Sequence, residues 1–351
     1  MTANVKRLAY FEWVDPIAES MLSQRAEIEL VRLSFDKPEG DTQDALSRAH
    51  GYQILPRGDL REPWFGDAAL IARCPKLLCI SSTGAGFDMV DVEACTKAGI
   101  IVVCQTGTNK EGVAEHALAL IISLSKKIGL SDKAMRSDKP IDRYAFTGND
   151  VLGKTVGIVG LGHIGKRVAE LCNGLLRMRV LACDPYLDRA EIIRHGAEKV
   201  ELPQLLAQSD FVTVHCPRNN ETFGMFGAAQ FAAMKPTAHF INTARGGLHK
   251  EDELAAALQA GTIAGAGLDV FLKEPPPASH PLLAFDNVIV TPHSAGVTHE
   301  SMHEMARAAA EQWIGLFAGE LPPRLVNPEA WSTYSERFAA EFGAPPKPIG
   351  K

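Results

Sequence analysis

The sequence predicts an α/β protein made of two doubly wound, parallel-sheet domains. Short apolar runs alternate with helical patterns along the chain, as expected for parallel sheets covered by helices on both faces. The length of 351 residues is more than one ordinary domain needs. A glycine-rich pattern, Gly160-Leu161-Gly162-His163-Ile164-Gly165, lies in the middle of the chain, so enough sequence precedes it for a separate domain.

The first part of the chain predicts a complete α/β unit. Its expected strands are 7–12, 27–34, 51–55, 77–82 and 100–104, and its expected helices are 16–25, 42–49, 65–73 and 89–98. A long helix of small and apolar residues is predicted over 109–127. The polar, weakly patterned segment 131–147 is predicted to be a surface arm or loop.

The second part repeats the alternation. Its expected strands are 155–159, 180–183, 211–215, 239–242, 266–270 and 287–291, and its expected helices include 166–172, 201–207, 251–260 and 300–318. The proline-rich tail 345–348 is predicted to be disordered.

Composition excludes several functional classes. A net charge of −6 and a pI near 6.0 disfavour nucleic acid or an acidic membrane as a partner. The sequence contains no apolar run as long as a membrane span and no signal-peptide pattern. The seven cysteines are scattered and include no Cys-x-x-Cys pair, and among the eleven histidines only His299 and His303 have a metal-ligand spacing. We therefore expect a cytoplasmic protein without disulfides or a metal.

The glycine pattern has the context of a dinucleotide-binding turn. It follows an apolar strand and begins a helix, and Asp184 lies 24 residues after Gly160, at the end of the next apolar run. Gly160 would permit the tight turn, Gly162 would let the backbone approach a pyrophosphate, and Gly165 would let the helix pack on the strand. The Asp184 carboxylate would accept hydrogen bonds from ribose hydroxyls and repel a 2′-phosphate. The pattern therefore predicts NAD rather than NADP.

Two other interpretations of this pattern stay open. A glycine-rich strand-to-helix turn can exist without any ligand. The segment from Gly160 to Lys166 also fits a phosphate-binding loop, although that loop requires Ser or Thr where Arg167 stands.

Ionisable residues follow three neighbouring strands of the second part. Arg245 follows the strand 239–242, Asp269 ends the next one with Glu274 in the loop beyond, and His293 follows the last. Because ligands bind at the carboxyl ends of such strands, these side chains predict hydride transfer at a carbon that bears oxygen. His293 would exchange a proton with the substrate oxygen, Glu274 would orient its ring and favour its charged form, and Arg245 would hold a carboxylate.

Each of these residues also has an ordinary structural interpretation. An arginine after a strand is often a surface ion pair, a Glu-Pro step often begins a loop, and an isolated histidine is often structural. Only their combination at adjacent strand ends favours catalysis.

The chain resembles the D-isomer-specific 2-hydroxyacid dehydrogenases from about Pro75 to Trp331. Besides the glycine turn, the motifs that carry the resemblance occur in the family's order and spacing, with 29 residues from Arg245 to Glu274 and 19 from Glu274 to His293. They are 82–88 (STGAGFD), 113–118 (VAEHAL), 215–217 (HCP), 241–247 (INTARGG), 267–271 (GLDVF), 274–275 (EP) and 291–293 (TPH).

The resemblance implies roles beyond those that the residues themselves indicate. Arg245, Glu274 and His293 match the catalytic triad, and the backbone of Ala85 and Gly86 matches the loop that binds the substrate carboxylate. The implied cofactor contacts are His163 and Ile164 at the pyrophosphate, Cys216, Pro217 and Thr222 on the adenine and ribose side, Thr243 and Ala244 before the catalytic arginine, and Asp269 at the nicotinamide carboxamide.

The family pattern also implies the architecture and assembly. A flavodoxin-like substrate domain would comprise 1–104 and 297–351, with a Rossmann NAD-binding domain at 105–296 inserted between them. Most members form homodimers through the long helix 109–127 and the arm after it. The sequence departs from the common pattern in the arm, which lacks a tryptophan, and at Phe223, where many members have a charged residue. Glu274 disfavours formate as substrate, because the formate-oxidising branch has Gln at this position.

Two functional alternatives remain open. The first is an NAD(H)-sensing protein, like the corepressors that retain this fold. The second keeps the chemistry but acts on phosphoglycerate, phosphite or a bulkier acid, with Arg57 and Arg61 as candidate phosphate contacts or solvated loop charges. Trp13 and Trp64 could line a substrate site or pack in a core.

Overall fold

The computed structural model describes residues 5–56, 58–137 and 140–347. The chain divides into two compact units. The first comprises the described residues of Met1–Asn109 and His299–Lys351, and the second is Lys110–Thr298. Both are parallel sheets covered by helices, so the predicted α/β class is confirmed.

The first unit has a five-stranded parallel sheet with the order β2-β1-β3-β4-β5. This is the strand order of flavodoxin-like sheets. The strands are β1 (Lys6–Tyr10), β2 (Ile28–Arg32), β3 (Gly51–Ile54), β4 (Cys79–Ser82) and β5 (Ile101–Val103). The helices are α1 (Ile17–Ser23), α2 (Glu39–Ser47), α3 (Ala68–Arg73), α4 (Val92–Lys97), α12 (His299–Phe317) and α13 (Trp331–Phe342).

The core of the first unit lies on both faces of this sheet. Side chains alternate along each strand, so Ile101 and Val103 join one apolar cluster while Val102 joins the other. All three are fully buried, and burial of such a side chain stabilises the fold by roughly 1.5–3 kcal/mol. A sheet buried on both faces explains why these strands appear in the sequence as continuous apolar runs.

The second unit has a seven-stranded parallel sheet with the order β12-β11-β10-β9-β6-β7-β8. All the strands are parallel, but the order in which the chain adds them reverses between β6 and β9. Open α/β sheets bind their ligands at such a point. The strands are β6 (Thr155–Val159), β7 (Arg179–Cys183), β8 (Glu198–Lys199), β9 (Phe211–Val214), β10 (His239–Asn242), β11 (Gly265–Leu268) and β12 (Val288–Val290). The helices are α5 (Lys110–Ser125), α6 (Ile128–Met135), α7 (His163–Gly174), α8 (Arg189–Arg194), α9 (Leu202–Gln208), α10 (Ala228–Ala232) and α11 (Glu251–Gln259).

The segment after α5 lies at the surface, like the predicted surface arm, but part of it is helical. Lys127 adopts a left-handed conformation with φ of 53°, which ends α5, and the chain then forms α6 and a 3₁₀ turn over Arg143–Phe146. None of the α6 residues is buried. Most of this eight-residue helix lies in the polar segment 131–147, so the sequence analysis assigns no helix there.

The C-terminal segment also differs from its prediction. The sequence analysis predicts no helix at α13, although the buried residues of this helix, Trp331, Tyr334 and Phe338, have helical spacing. In the predicted disordered tail, Pro346 is buried and the Lys347 N–H donates to the Gly319 carbonyl at 2.7 Å. The tail is therefore packed as far as Lys347, and Pro348 lies outside the described residues.

No helix in the described part of the chain has both the length and the apolar character needed to cross a membrane. Within 5–56, 58–137 and 140–347, no three His, Cys, Asp or Glu side chains are grouped as metal ligands would be. His303 lies 3.4 Å from Asp15 Oδ1 instead.

Candidate active site

The glycine turn after β6 has two positions that only glycine fits. Gly160 has φ of 89°, and a Cβ atom there would lie 2.7 Å from the backbone nitrogen of Cys216. A Cβ atom on Gly165 would lie 2.2 Å from the Gly160 carbonyl oxygen. Gly160 therefore serves the tight turn and Gly165 the close packing of α7 on the strand.

Gly162, the residue before α7, is different. A Cβ atom there would meet no protein atom within 4 Å, and its φ of −76° suits any residue. The fold itself therefore does not require glycine at this position, and the space beside it is left for a ligand. The exposed His163 and half-buried Ile164 begin the helix, whose first N–H groups lack intrahelical acceptors and attract anions. The turn therefore fits a pyrophosphate.

Asp184 follows β7 and closes the same turn. Its Oδ2 accepts a hydrogen bond from the Leu161 N–H at 2.8 Å, and its Oδ1 accepts one from the Tyr186 N–H at 2.9 Å. A carboxylate oxygen can accept more than one hydrogen bond, so the half-buried Asp184 retains capacity for ribose hydroxyls.

The loop after β9 forms the neighbouring wall. Burial raises the pKa of the Cys216 thiol to about 11, so this side chain is neutral and weakly polar. The Thr222 hydroxyl donates to the Pro217 carbonyl at 2.6 Å and accepts from the Asn219 N–H at 2.9 Å. Its single hydrogen is therefore used within the turn, where it holds the shape of the loop.

The turn after β10 positions Arg245 through a buried amide. Asn242 is fully buried, and its Oδ1 accepts from the Ala244 N–H at 2.9 Å while its Nδ2 donates to the Arg245 carbonyl at 2.9 Å. The half-buried Arg245 donates from Nη1 to the Ala244 carbonyl at 2.7 Å. The adjacent Thr243 is buried, and its Oγ1 has no hydrogen-bond partner among the described residues.

Asp269, after β11, organises the loop after β12. Its Oδ1 accepts from the Thr291 hydroxyl at 2.6 Å and from the Ser294 N–H at 2.8 Å, and its Oδ2 accepts from the Ala295 N–H at 2.9 Å. Because Thr291 donates its only hydrogen to Asp269, its oxygen accepts from Nε2 of His116 at 3.0 Å. Sequence reasoning missed His116 and Thr291 as site residues, although both lie within the motifs of the family.

His293 and Glu274 form a close pair. Nδ1 of His293 lies 2.8 Å from Oε2 of Glu274, whose Oε1 accepts from the Phe271 N–H at 3.0 Å. The His293 N–H donates to the Asp269 carbonyl at 2.8 Å, and its φ of 56° turns the residue out of the strand direction. With the hydrogen on Nδ1 facing the carboxylate, Nε2 is the ring atom left to exchange a proton with a substrate.

The substrate-carboxylate loop expected in the first unit follows β4. Ala85 and Gly86 are half-buried, and the Ser82 hydroxyl donates to the Gly86 carbonyl. The Gly84 carbonyl accepts from the Gln105 N–H at 2.9 Å. These bonds hold the loop at the carboxyl end of its strand.

The sequence leaves open whether four residues of the first unit contact the substrate, and the structure gives three of them a defined environment. The exposed Arg61 stacks over Phe35, 5.0 Å from the ring centre, while Arg57 lies outside the described residues. Trp64 is buried in the core, so packing accounts for it. Trp13 lies 5.5 Å from the Tyr10 ring, and its buried Nε1 has no partner among the described residues.

The second unit therefore combines three elements at one edge of its sheet. They are a pyrophosphate-type turn, an arginine turn and an imidazole–carboxylate pair, each at the carboxyl end of a parallel strand. This combination defines a dinucleotide-dependent oxidoreductase class.

Comparison with known proteins gives the family. Residues 118–295, about half of the chain, match the model of the D-isomer specific 2-hydroxyacid dehydrogenase, NAD binding domain. The chain is 41% identical over 289 residues to a D-3-phosphoglycerate dehydrogenase of Archaeoglobus fulgidus, covering 82% of this chain and 54% of that protein. It is 40% identical over 269 residues to a glyoxylate reductase of Thermofilum pendens, covering 75% of this chain and 78% of that protein.

A solved structure agrees with these relatives. The holo form of Rhodotorula graminis D-mandelate dehydrogenase superposes with a TM-score of 0.80 at 28% identity, over 92% of this chain and 97% of that one. The chain belongs to the D-isomer specific 2-hydroxyacid dehydrogenase family. The predicted family and the oxidoreductase class are therefore confirmed, and the chain spans about half the length of the phosphoglycerate dehydrogenase relative.

Proposed function

We propose that this protein uses NADH to reduce a small 2-keto acid to the D-2-hydroxy acid, and catalyses the reverse oxidation. The observation that carries the proposal is the His293–Glu274 pair at 2.8 Å, which shares a sheet edge with the Arg245 turn and the open glycine turn. The D configuration rests on membership of the family.

Each side chain has a defined task in this reaction. Arg245 binds the substrate carboxylate and polarises the keto group with its planar guanidinium. His293 donates a proton from Nε2 to the keto oxygen, and Glu274 holds the ring in place through Nδ1. NADH, when bound, supplies the hydride. Ala85 and Gly86 are further proposed contacts for the carboxylate.

The proposed cofactor is NAD rather than NADP. The family supports a nicotinamide dinucleotide, and the finer preference rests on Asp184 at the end of β7. A second negative charge at the adenosine ribose would lie close to this carboxylate and be repelled. We also propose that Asp269, Thr243, Ala244, His163, Ile164, Cys216 and Pro217 contact this cofactor, and that Thr222 shapes its loop.

The two candidate substrates differ in their side chains. The relatives include a glyoxylate reductase and a D-3-phosphoglycerate dehydrogenase, so glyoxylate and 3-phosphohydroxypyruvate are the acids to compare first. The NAD(H)-sensing alternative predicts cofactor binding without turnover.

The proposal also covers the oligomeric state of the protein and its cellular compartment. We propose a homodimer built through α5 and the arm, supported by four large apolar side chains exposed there: Ile128, Met135, Ile141 and Tyr144. A reducing, cytoplasmic compartment is supported by the seven cysteines, all of which are unpaired.

A substrate panel tests the proposed function. NADH oxidation is followed by absorbance with glyoxylate, hydroxypyruvate, pyruvate, 4-methyl-2-oxopentanoate, phenylpyruvate and 3-phosphohydroxypyruvate, with NADPH in parallel. Turnover of one or two of these acids with NADH supports the proposal. NADH binding without turnover of any of them contradicts it and favours the sensing role.

A further inference from the structure

His116 reaches the edge of the second unit's sheet from a helix, whereas the other polar side chains assigned above come from the loops that follow strands. It lies in the first half of α5, and its side chain is 23% exposed. Nε2 of His116 lies 3.0 Å from the Thr291 hydroxyl oxygen and 3.9 Å from Oδ1 of Asp269. The reaction proposed above gives this histidine no task.

The Thr291 hydroxyl fixes the direction of the hydrogen bond with His116. Its oxygen lies 2.6 Å from Oδ1 of Asp269, and two oxygens lie so close only when a hydrogen is between them. A carboxylate only accepts, so the single hydroxyl hydrogen points to Asp269. The Thr291 oxygen therefore accepts from His116, and Nε2 of this ring carries a hydrogen.

Asp269 holds the backbone around His293. Its carboxylate accepts from the Ser294 N–H at 2.8 Å and from the Ala295 N–H at 2.9 Å, and its carbonyl accepts from the His293 N–H at 2.8 Å. Thr291, two residues before His293, is bonded to the same carboxylate. The whole turn that carries the imidazole is therefore tied to one fully buried side chain.

This turn needs several fixed contacts because one residue in it has a strained backbone. His293 has φ of 56°, a left-handed conformation that residues other than glycine rarely adopt. Such a residue keeps its conformation only when the surrounding structure determines it more than once. The hydrogen bond from His116 supplies a contact from outside the turn, on a helix whose next residue, Ala117, is fully buried.

We propose that His116 is a positioning residue. Its Nε2–H holds Thr291, and through it the turn bound to Asp269, so that the His293 ring meets the keto group in the correct orientation. The residue needed at this place is a hydrogen-bond donor rather than a charge. This role rests on the proposed reduction of keto acids, because it acts through the His293 ring.

Two substitutions separate hydrogen-bond donation from the other properties of the imidazole. In His116→Gln, the amide nitrogen is as many bonds from Cβ as Nε2 is and still donates. In His116→Met, a side chain of similar length donates nothing. His195→Met is the control, since His195 lies in the same unit, has a similar side-chain exposure of 25% and also contacts carboxylates.

Steady-state kinetics with NADH and the best 2-keto acid measure the effect on the reaction. We expect kcat of His116→Met to fall about tenfold, with KM for the acid within about twofold of wild type, because the contacts of the acid stay in place. His116→Gln should recover kcat to within about threefold of wild type, and His195→Met should leave it unchanged. Wild-type kcat in His116→Met, or an equally low kcat in His116→Gln, would overturn the proposal.

NMR of the whole protein without cofactor or acid gives a readout that does not depend on turnover. With ¹⁵N in the backbone and the histidine rings, the His116 ring should carry a hydrogen on Nε2, and the amide signals of Ser294 and Ala295 should shift in His116→Met but not in His195→Met. A ring hydrogen on Nδ1 alone, or unmoved amide signals in His116→Met, would overturn the proposal even if the wild type reduces keto acids. If the wild type reduces none of the acids, the proposed function fails, while these signals still decide whether His116 holds the turn.

Discussion

Nδ1 of His293 lies 2.8 Å from Oε2 of Glu274, and the backbone of the same histidine is held by Asp269. His293 is therefore held at two points. A carboxylate binds its ring, and the carbonyl after the adjacent strand binds its backbone N–H. This arrangement fixes the orientation of the ring and leaves one ring nitrogen for the substrate.

The Glu274→Gln variant tests this pairing. The amide keeps the size of the side chain but can also turn its NH₂ group toward Nδ1, so the ring is held less firmly and kcat for keto-acid reduction should fall roughly tenfold to a hundredfold. Glu201→Gln, at an exposed glutamate, is the control. An unchanged kcat would show that Glu274 does not position His293.

The glycine turn offers a matched pair of variants. In Gly162→Ala the new Cβ atom meets no protein atom, so the melting temperature should change by no more than about 2 °C while NADH binding weakens about tenfold or more. In Gly165→Ala the new Cβ atom would lie 2.2 Å from the Gly160 carbonyl oxygen, so the melting temperature itself should fall by several degrees. Calorimetry of unfolding and titration with NADH measure both effects. Full NADH affinity in Gly162→Ala would remove the pyrophosphate assignment.

Asp184→Ser tests the preference for NAD. Removal of the carboxylate should lower the ratio of kcat/KM with NADH to that with NADPH by about tenfold or more, since the repulsion of a 2′-phosphate is lost. Asp188→Ser is the control, because Asp188 lies four residues further on and its side chain likewise accepts from the backbone, in this case from the Glu191 N–H at 2.7 Å. If the ratio stays at its wild-type value, another residue discriminates between the two cofactors.

Acid stability should depend on buried histidines. Burial lowers the pKa of His239 to about 4, while the unfolded chain has the ordinary value near 6.5. The unfolded state therefore binds the extra proton first as pH falls, and stability is full above about pH 6.5 and decreases by up to about 1.4 kcal/mol per pH unit down to about pH 4. His239→Phe keeps the stacking on Phe211, whose ring centre is 5.6 Å away, and should reduce this loss. His299→Phe, at an exposed histidine, should not. Equal acid sensitivity of wild type and His239→Phe would contradict the assignment.

The parts of the site that could be predicted from sequence are those that depend on residues close together in the sequence. The order strand, turn and helix around Gly160 indicates the cofactor turn, and the strand ends indicate that Arg245 and His293 share one edge. The Asp269–Thr291–His116 hydrogen bonds could not be predicted this way, because they join residues up to 175 positions apart. The α6 helix could not be predicted either, because it is only eight residues long and lies mostly in the polar segment 131–147.

The most direct test of the central claim is the rate of NADH oxidation by Arg245→Ala and wild type with the best 2-keto acid, together with NADH binding to both proteins. The account predicts that the variant loses detectable reduction while its NADH affinity stays within about threefold of wild type, because Arg245 binds the acid rather than holding the fold. Arg245→Lys should recover only part of the rate, since an ammonium cannot form the planar two-bond contact. Wild-type turnover by Arg245→Ala would contradict the account.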